Sequence, residues 1–331
     1  MENKIFKALV VYENEDNSFT RSIEEKHISD LVKKDVCIKV MYSSLNYKDA
    51  LSATGNKGVT RNYPHTPGVD AAGIVVSSQS NLYKKGDEVI VTGYDLGMNT
   101  DGGFGEYIYV DESWVVPLPK GLSLKEAMIY GTAGFTAALS VYKLIEHGIK
   151  PDDGHILVTG ATGGVGSVAV AILAKLGFHV IAATGKPEAK DTLINLGAKD
   201  IILRSELDDQ TKRPLLKGKW AGVVDTVGGN MLASAIKETK YDGALTCCGL
   251  VQSPNLLTTV YPFILRGVTL YGIDSVECKN DLRLKVWNLL ASTYKVAHLA
   301  YEEINLEDVS KKIDLILKGK LVGRTVIKIK H

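Results

Sequence analysis

The apolar run His155 to Thr159 leads straight into Gly160-Ala161-Thr162-Gly163-Gly164-Val165-Gly166, and a helical pattern follows to Leu176. A glycine-rich turn between a strand and a helix is an anion cradle, because the free N–H groups of the first helical turn point at whatever binds there. Gly163 puts no side chain in the way of a pyrophosphate, Thr162, Gly164 and Val165 supply neighbouring backbone, and Gly166 lets the helix pack closely on its strand. Ala161 stands where the first glycine of the usual dinucleotide fingerprint would be, one residue after Gly160. The next apolar run, HVIAAT, closes on Thr184-Gly185-Lys186. An NAD site places an Asp or Glu there, roughly 20 residues past the turn, to hold the ribose diol. No acid is present. A carboxylate would repel a 2′-phosphate, whereas Thr184, Lys186 and the Gly185 backbone can donate to one, and Arg204 closes the following run. The pattern predicts NADPH as cofactor; Lys186 also reads as a loop lysine and Arg204 as an ordinary strand-end residue.

These residues need a scaffold, and the chain between 155 and 275 supplies its signature. The runs HILVTG, HVIAAT, DIILR, GVVDTV, GALTCCGL and TLYGID alternate with helical stretches. Continuous apolar strands separated by helices predict a Rossmann-type, doubly wound parallel sheet. From residue 5 to about 125 the runs are short, β-branched and broken by Gly, Pro, Asn and Asp: KALVVY, DVCIKVMYSSL, AAGIVVSS, DEVIVTGY and GEYIYVDESWVVPLP. They predict a mostly β domain. The texture changes after Pro117 and Pro119, where Leu124 to Glu146 reads as helix, and the tail ends in a strand, TVIKIK. The expected class is α/β, with domains at 1–125 plus 300–331 and at 126–299.

Composition narrows the function. With 39 Lys plus Arg against 38 Asp plus Glu in 331 residues, the formal charge is +1, which leaves no field for unselective binding of nucleic acid or an anionic membrane. The longest apolar stretches, such as Val168 to Leu173, fall far short of the roughly 18 residues of a membrane span. Ala8 to Tyr12 is too short for a secretory h-region. Cys37, Cys247, Cys248 and Cys278 lack both the number for a disulfide scaffold and the C-x₂-C spacing of a zinc site, so a reducing cytoplasm and no metal are expected.

SSLNYKDAL (43–51), PGVDAAGIV (67–75), YGTAGFTAAL (130–139), VTGATGGVGS (158–167), YPFILRGV (261–268), GIDSV (272–276) and GRTVIKI (323–329) occur in order along the chain. The sequence therefore resembles the medium-chain dehydrogenase/reductase superfamily over essentially its whole length. It is most similar to the zinc-free, quinone oxidoreductase-like branch that contains acryloyl-CoA reductases. The resemblance implies a GroES-like catalytic domain beside the Rossmann unit. Zinc-dependent relatives carry a Cys near residue 46, a His-Glu pair near 68 and four clustered cysteines; here Asn46 and Val69-Asp70 stand instead, and no such cluster exists.

Without a Lewis acid for an alkoxide, the implied chemistry is hydride delivery to an acceptor that carries the charge itself. Such an acceptor is a 2-enoyl thioester such as acryloyl-CoA; a quinone is the alternative, and a non-catalytic NADPH-binding protein the distant one. Asn46, Tyr47, Lys48 and Asp49 replace the zinc-ligand turn, so the resemblance places them at the nicotinamide. Tyr47 would offer a phenol and a stacking face, Asn46 an amide donor, and Asp49 an orienting carboxylate. Asn46 and Asp49 also read as turn and cap residues. Thr136 is implied to bond the cofactor, Leu250, Ile264 and Ser275 to line its cleft, and Arg324 to return to the active-site side. Lys57 and Arg61 are candidates for CoA phosphates and read equally as residues of a solvated loop, while His65 and His155 read as packing or surface residues. A homodimer is expected, partly because GVTLYGIDSV (267–276) would make an exposed apolar edge strand.

Overall fold

A computed structural model describes residues 4–331. In chain order the elements are β1 (Ile5–Glu13), β2 (Phe19–His27), β3 (Val36–Ser44), α1 (Tyr47–Ser52), β4 (Asp70–Ser78), β5 (Glu88–Thr92), β6 (Tyr107–Val110), β7 (Val115–Pro117) and α2 (Leu124–His147). There follow β8 (His155–Val158), α3 (Gly164–Lys175), β9 (His179–Thr184), α4 (Lys190–Asn195), β10 (Asp200–Leu203), α5 (Arg204–Leu207), β11 (Trp220–Asp225), α6 (Gly229–Lys237), β12 (Thr239–Cys247), α7 (Tyr261–Arg266) and β13 (Thr269–Gly272). The chain closes with α8 (Asn280–Leu290), β14 (Tyr301–Asn305), α9 (Val309–Leu317) and β15 (Arg324–Lys328). It divides into two compact units: the chain up to Thr132 with Val276–Leu284 and Ala300–His331, and Ala133–Ser275 with Lys285–Leu299. The division after Thr132 lies inside α2, a few residues past the change of texture near 125.

In the first unit the strands run β14-β15-β3-β4-β5-β7, with β6 also pairing β3. The C-terminal strand β15 lies antiparallel to β3, with Val326 opposite Ser44 and Ile327 opposite Ser43. That register carries Arg324 to the end of β3 from which the 46–49 turn departs. Leu9, Val36, Ile38, Val40, Phe104 and Ile327 are among the side chains of its core. The sequence did not announce β2, FTRSIEEKH, which pairs along its whole length with β1. A two-stranded ribbon with a solvated face needs no apolar run, so its charges disguise it.

In the second unit the parallel strands run β10-β9-β8-β11-β12-β13. The order reverses between β8 and β11, and a doubly wound sheet binds its ligand beyond the carboxyl ends of the strands at such a reversal. Two helical stretches are interrupted. Residues 187–196, between β9 and β10, form a 3₁₀ turn at Pro187–Ala189 followed by α4. The helix from Leu124 is broken at Gly131, whose φ of 52° and ψ of −157° lie outside helical space. Among the described residues no helix is long and apolar enough to cross a membrane.

Candidate active site

The glycine-rich turn follows β8 directly. Gly160 takes a left-handed φ of 59°, and a Cβ there would stand 2.3 Å from Thr226 Oγ1. At Gly166 a Cβ would lie 2.3 Å from the Gly160 carbonyl oxygen and 2.8 Å from Ala161 Cα, so helix and turn touch backbone to backbone. Ala161 is fully buried, and its N–H bonds the Ala183 carbonyl at 3.1 Å, which ties the turn to β9. Gly163 caps α3, and Ser167 makes the first helical bond back to it at 2.9 Å. The N–H groups of Gly164, Val165 and Gly166 therefore precede the helical ladder and are directed at the turn's mouth. Beside Gly163 a Cβ would meet only the Gly160 oxygen, at 3.2 Å, within 4 Å. A pyrophosphate fits this cradle.

At the end of β9 the expected phosphate donors separate. Thr184 is buried, and its hydroxyl accepts the Lys186 N–H at 3.0 Å and lies 3.5 Å from Thr162 Oγ1. It braces the turn instead of facing an incoming phosphate. Leu203 pairs with Thr184 in the parallel register, so Arg204 emerges beside Gly185, and a Cβ on Gly185 would lie 3.8 Å from the guanidinium carbon. Gly185 and Arg204 are both exposed.

Thr136 and Ser275, far apart in sequence, meet: Thr136 Oγ1 donates to Ser275 Oγ at 2.8 Å. Leu250 lines a cavity of about 580 Å³ at the carboxyl ends of β11 to β13, together with Gly228, Cys248, Gly249, Leu270 and Ile273. Ile264 is not among its lining residues; it lies on α7 with 68% of its surface exposed.

In the first unit the turn after β3 is built on buried polar groups. Asp70, fully buried at the start of β4, accepts four donors. Ser44 Oγ reaches its Oδ2 at 2.6 Å, Asn46 Nδ2 at 2.7 Å and the Thr132 N–H at 2.9 Å, while Thr132 Oγ1 reaches Oδ1 at 2.6 Å. The break at Gly131 aims the Thr132 amide at Asp70. Only glycine fits there, since a Cβ would lie 2.3 Å from Ser44 Oγ and 2.5 Å from Asp70 Oδ2. Arg324, buried at the start of β15, donates to Ser44 Oγ at 2.9 Å, to the Leu45 carbonyl at 3.3 Å and to the Ile129 carbonyl at 3.0 Å.

Asn46 spends its amide inside this cluster, donating also to the Ser44 carbonyl at 3.3 Å, which leaves it no N–H for a substrate. Asp49 is wholly buried, and its oxygens accept the Asn46 N–H at 2.7 Å and the Val69 N–H at 2.8 Å. It positions the turn without facing outward. Tyr47 is the exposed side chain of the predicted trio, at 48%.

The cluster holds two carboxyls for one guanidinium, and the protonation states follow. Burial, reinforced by the neighbouring Asp70 charge and opposed by the backbone N–H bonds, pushes the Asp49 carboxyl up to about 7. An unfolded Asp titrates near 3.9. Between about pH 4 and 7 the folded chain thus holds one proton more than the unfolded chain, so stability falls as pH rises across that window, by about 1.4 kcal/mol per unit. Urea unfolding from pH 4.5 to 8 is expected to show a decline in the parent and a shallower one in Asp49→Asn, where only other buried carboxyls such as Asp225, also pushed up by burial, still contribute. Equal slopes in the two proteins would refute the assignment.

A model of the alcohol dehydrogenase GroES-like domain matches residues 32–120, and a zinc-binding dehydrogenase model matches 164–292. YhfP of Bacillus subtilis, named for quinone oxidoreductase activity, is 47% identical over 98% of this chain and 99% of its own. Its solved structure, with NAD bound, superposes with a TM-score of 0.96. Acrylyl-CoA reductase AcuI of Ruegeria pomeroyi is 44% identical, covering 98% of this chain and 99% of its own. The yhdH oxidoreductase of Salmonella enterica, solved with NADP, is 44% identical with a TM-score of 0.93, over 98% of this chain and all of its own. The chain belongs to the medium-chain dehydrogenase/reductase superfamily.

It falls in the quinone oxidoreductase-like branch, with a GroES-like domain and a Rossmann-like parallel sheet. Among the described residues no group of three or more His, Cys, Asp or Glu is placed to hold a metal ion. The positions that carry zinc ligands in other branches of this superfamily serve a different purpose here: Asn46 and Asp70 bond each other and anchor the turn. The sequence marks Asp70 only as a residue standing in a zinc-ligand position, and it gives Thr132 no mark at all. The signal available was a lone acid after Pro67-Gly68 and a glycine inside a helical stretch, and neither names its partner. Lys57, expected at a phosphate rim, is ion-paired with Glu13 at 2.6 Å and lies over the Tyr63 ring. Arg61 remains exposed.

Proposed function

We propose that this chain is an NADPH-dependent reductase, independent of metal, that reduces the activated C=C of a short 2-enoyl thioester such as acryloyl-CoA. The likeness to acrylyl-CoA reductase AcuI across nearly the full length of both chains carries the substrate class. When bound, NADPH supplies a hydride, which adds at the β-carbon; a proton at the α-carbon completes the reduction. The second unit binds the cofactor through the Thr162–Gly166 turn, with Gly185, Lys186 and Arg204 at the 2′-phosphate and Thr136, Ser275 and Leu250 toward the nicotinamide half. The first unit is the catalytic one. Its buried cluster holds the 46–49 turn rigid, and Tyr47 presents a phenol as a hydrogen-bond donor for the developing oxyanion. A quinone acceptor is the second reading, favoured by the name of YhfP.

One kinetic series tests both halves. With NADPH, acryloyl-CoA and crotonyl-CoA are expected to be turned over with higher kcat/KM than benzoquinone; a quinone advantage beyond about tenfold, roughly 1.4 kcal/mol, transfers the assignment to the quinone. The relatives' structures hold NAD in one case and NADP in the other, so the preference rests on this chain's Gly185 and Arg204. A charge-assisted contact to the 2′-phosphate is worth about 1.5–3 kcal/mol, so Arg204→Ala is expected to lower kcat/KM for NADPH about ten- to hundredfold and leave NADH near its parent value. Equal parent values for the two cofactors would defeat the NADPH assignment.

The proposal includes a homodimer through β13, the edge strand of the second unit's sheet, whose unit also exposes Tyr261, Ile264 and Leu265 on α7. Unpaired edges with apolar neighbours are what a second copy covers. Light scattering at micromolar concentration should give twice the 35.9 kDa chain mass, and a monomer mass would refute it.

A further inference from the structure

His155 and His179 are the first residues of β8 and β9, at the opposite strand ends from the phosphate turn. The two strands are parallel and hydrogen-bonded, and these histidines are direct partners in the register. Both are exposed, and their imidazole centroids lie 4.2 Å apart with the planes at 89°. Neither ring takes part in a hydrogen bond among the described residues, and the mechanism uses neither.

We propose that His155 and His179 form a bidentate surface site for a divalent transition metal ion of the imidazole-preferring class, such as zinc or copper, with water completing its coordination. The geometry supports this. Two imidazoles bound cis to one ion at metal–nitrogen distances of about 2.0–2.1 Å hold their centroids roughly 4.5–5 Å apart, so the rings need to part by less than about 1 Å and to turn out of their edge-to-face contact until one nitrogen of each faces the ion. The strand pairing fixes both Cβ positions, so binding has to order only two short side chains and no backbone. Metal binding needs neutral imidazoles. Lys240 and Asp200 are the charged groups beside His155, and they act on it in opposite directions. With two protein ligands the site is weaker than a four-ligand structural zinc site, and Lys240 weakens it further. Imidazole pairs discriminate: copper should bind above zinc, and magnesium or calcium, which require oxygen ligands, should not bind. The ion would join the starts of two core strands without touching the cofactor turn.

The test uses the untagged full chain, titrated calorimetrically with copper and zinc chlorides. One ion per chain is expected, with affinity falling at least tenfold in His155→Asn and in His179→Asn and unchanged in His298→Asn, an exposed histidine elsewhere. Circular dichroism checks that the variants keep the parent fold. The copper-loaded parent should show the electron-spin signature of two equatorial nitrogens. The proposal is overturned by absence of 1:1 binding to the parent, by binding that survives in the double variant, by equal affinity for magnesium, or by a copper spectrum without two nitrogen ligands. None of these readouts depends on the reductase assignment.

Discussion

Asp70→Ala is expected to lower the unfolding free energy by about 3–5 kcal/mol, the scale for removing one partner of a buried charge pair. Four donors lose their acceptor at once: Ser44 Oγ, Asn46 Nδ2 and both the N–H and hydroxyl of Thr132. Arg324 is then left in the interior with Asp49 as the remaining carboxyl, which can release its proton and recover part of the loss. Asp70→Asn, which keeps the shape and one acceptor, should cost less. The coupling has a readout: Asp70→Ala with Asp49→Asn should exceed the sum of the single losses, since neither carboxyl then balances the guanidinium. Urea midpoints of the four proteins check it. A loss below about 1 kcal/mol in Asp70→Ala would show that the cluster does not hold the turn.

Gly166→Val is expected to abolish measurable cofactor binding while leaving a folded chain. The new Cβ would stand 2.3 Å from the Gly160 carbonyl oxygen and 2.8 Å from Ala161 Cα, so backbone has to move. Overpacking of this kind costs about 1–3 kcal/mol in stability. The effect on binding is larger, because the N–H groups of Gly164 to Gly166 lose their common aim when α3 shifts from the turn. Quenching of NADPH fluorescence should weaken by at least about a hundredfold, or roughly 2.8 kcal/mol. Gly163→Ala, where a Cβ meets a single oxygen at 3.2 Å, separates pocket from packing: the chain should keep its stability and lose affinity. A Gly166→Val protein that binds NADPH like the parent would remove the turn from the cofactor site.

The parallel sheet and its phosphate turn were legible in the amino-acid sequence because both are local. A continuous apolar run, a glycine-spaced turn and a helical period sit within a few tens of residues, and each physical requirement falls on the residues that display it. The missing acid after HVIAAT was legible for the same reason. The ribbon strand β2 was hidden, since its solvated face removes the apolar pattern that marks a strand. The buried cluster behind the 46–49 turn was beyond any local pattern. Asp70, Thr132 and Arg324 come from β4, the break in α2 and the last strand, and only the antiparallel register of β15 against β3 brings Arg324 to Ser44. Tertiary structure likewise decided the roles of Asn46, Asp49 and Thr184. Sequence showed polar groups suited to a substrate or a phosphate, and the fold turned them inward, because a buried carboxylate, amide or hydroxyl must find its hydrogen bonds inside the protein before it can offer any to a ligand.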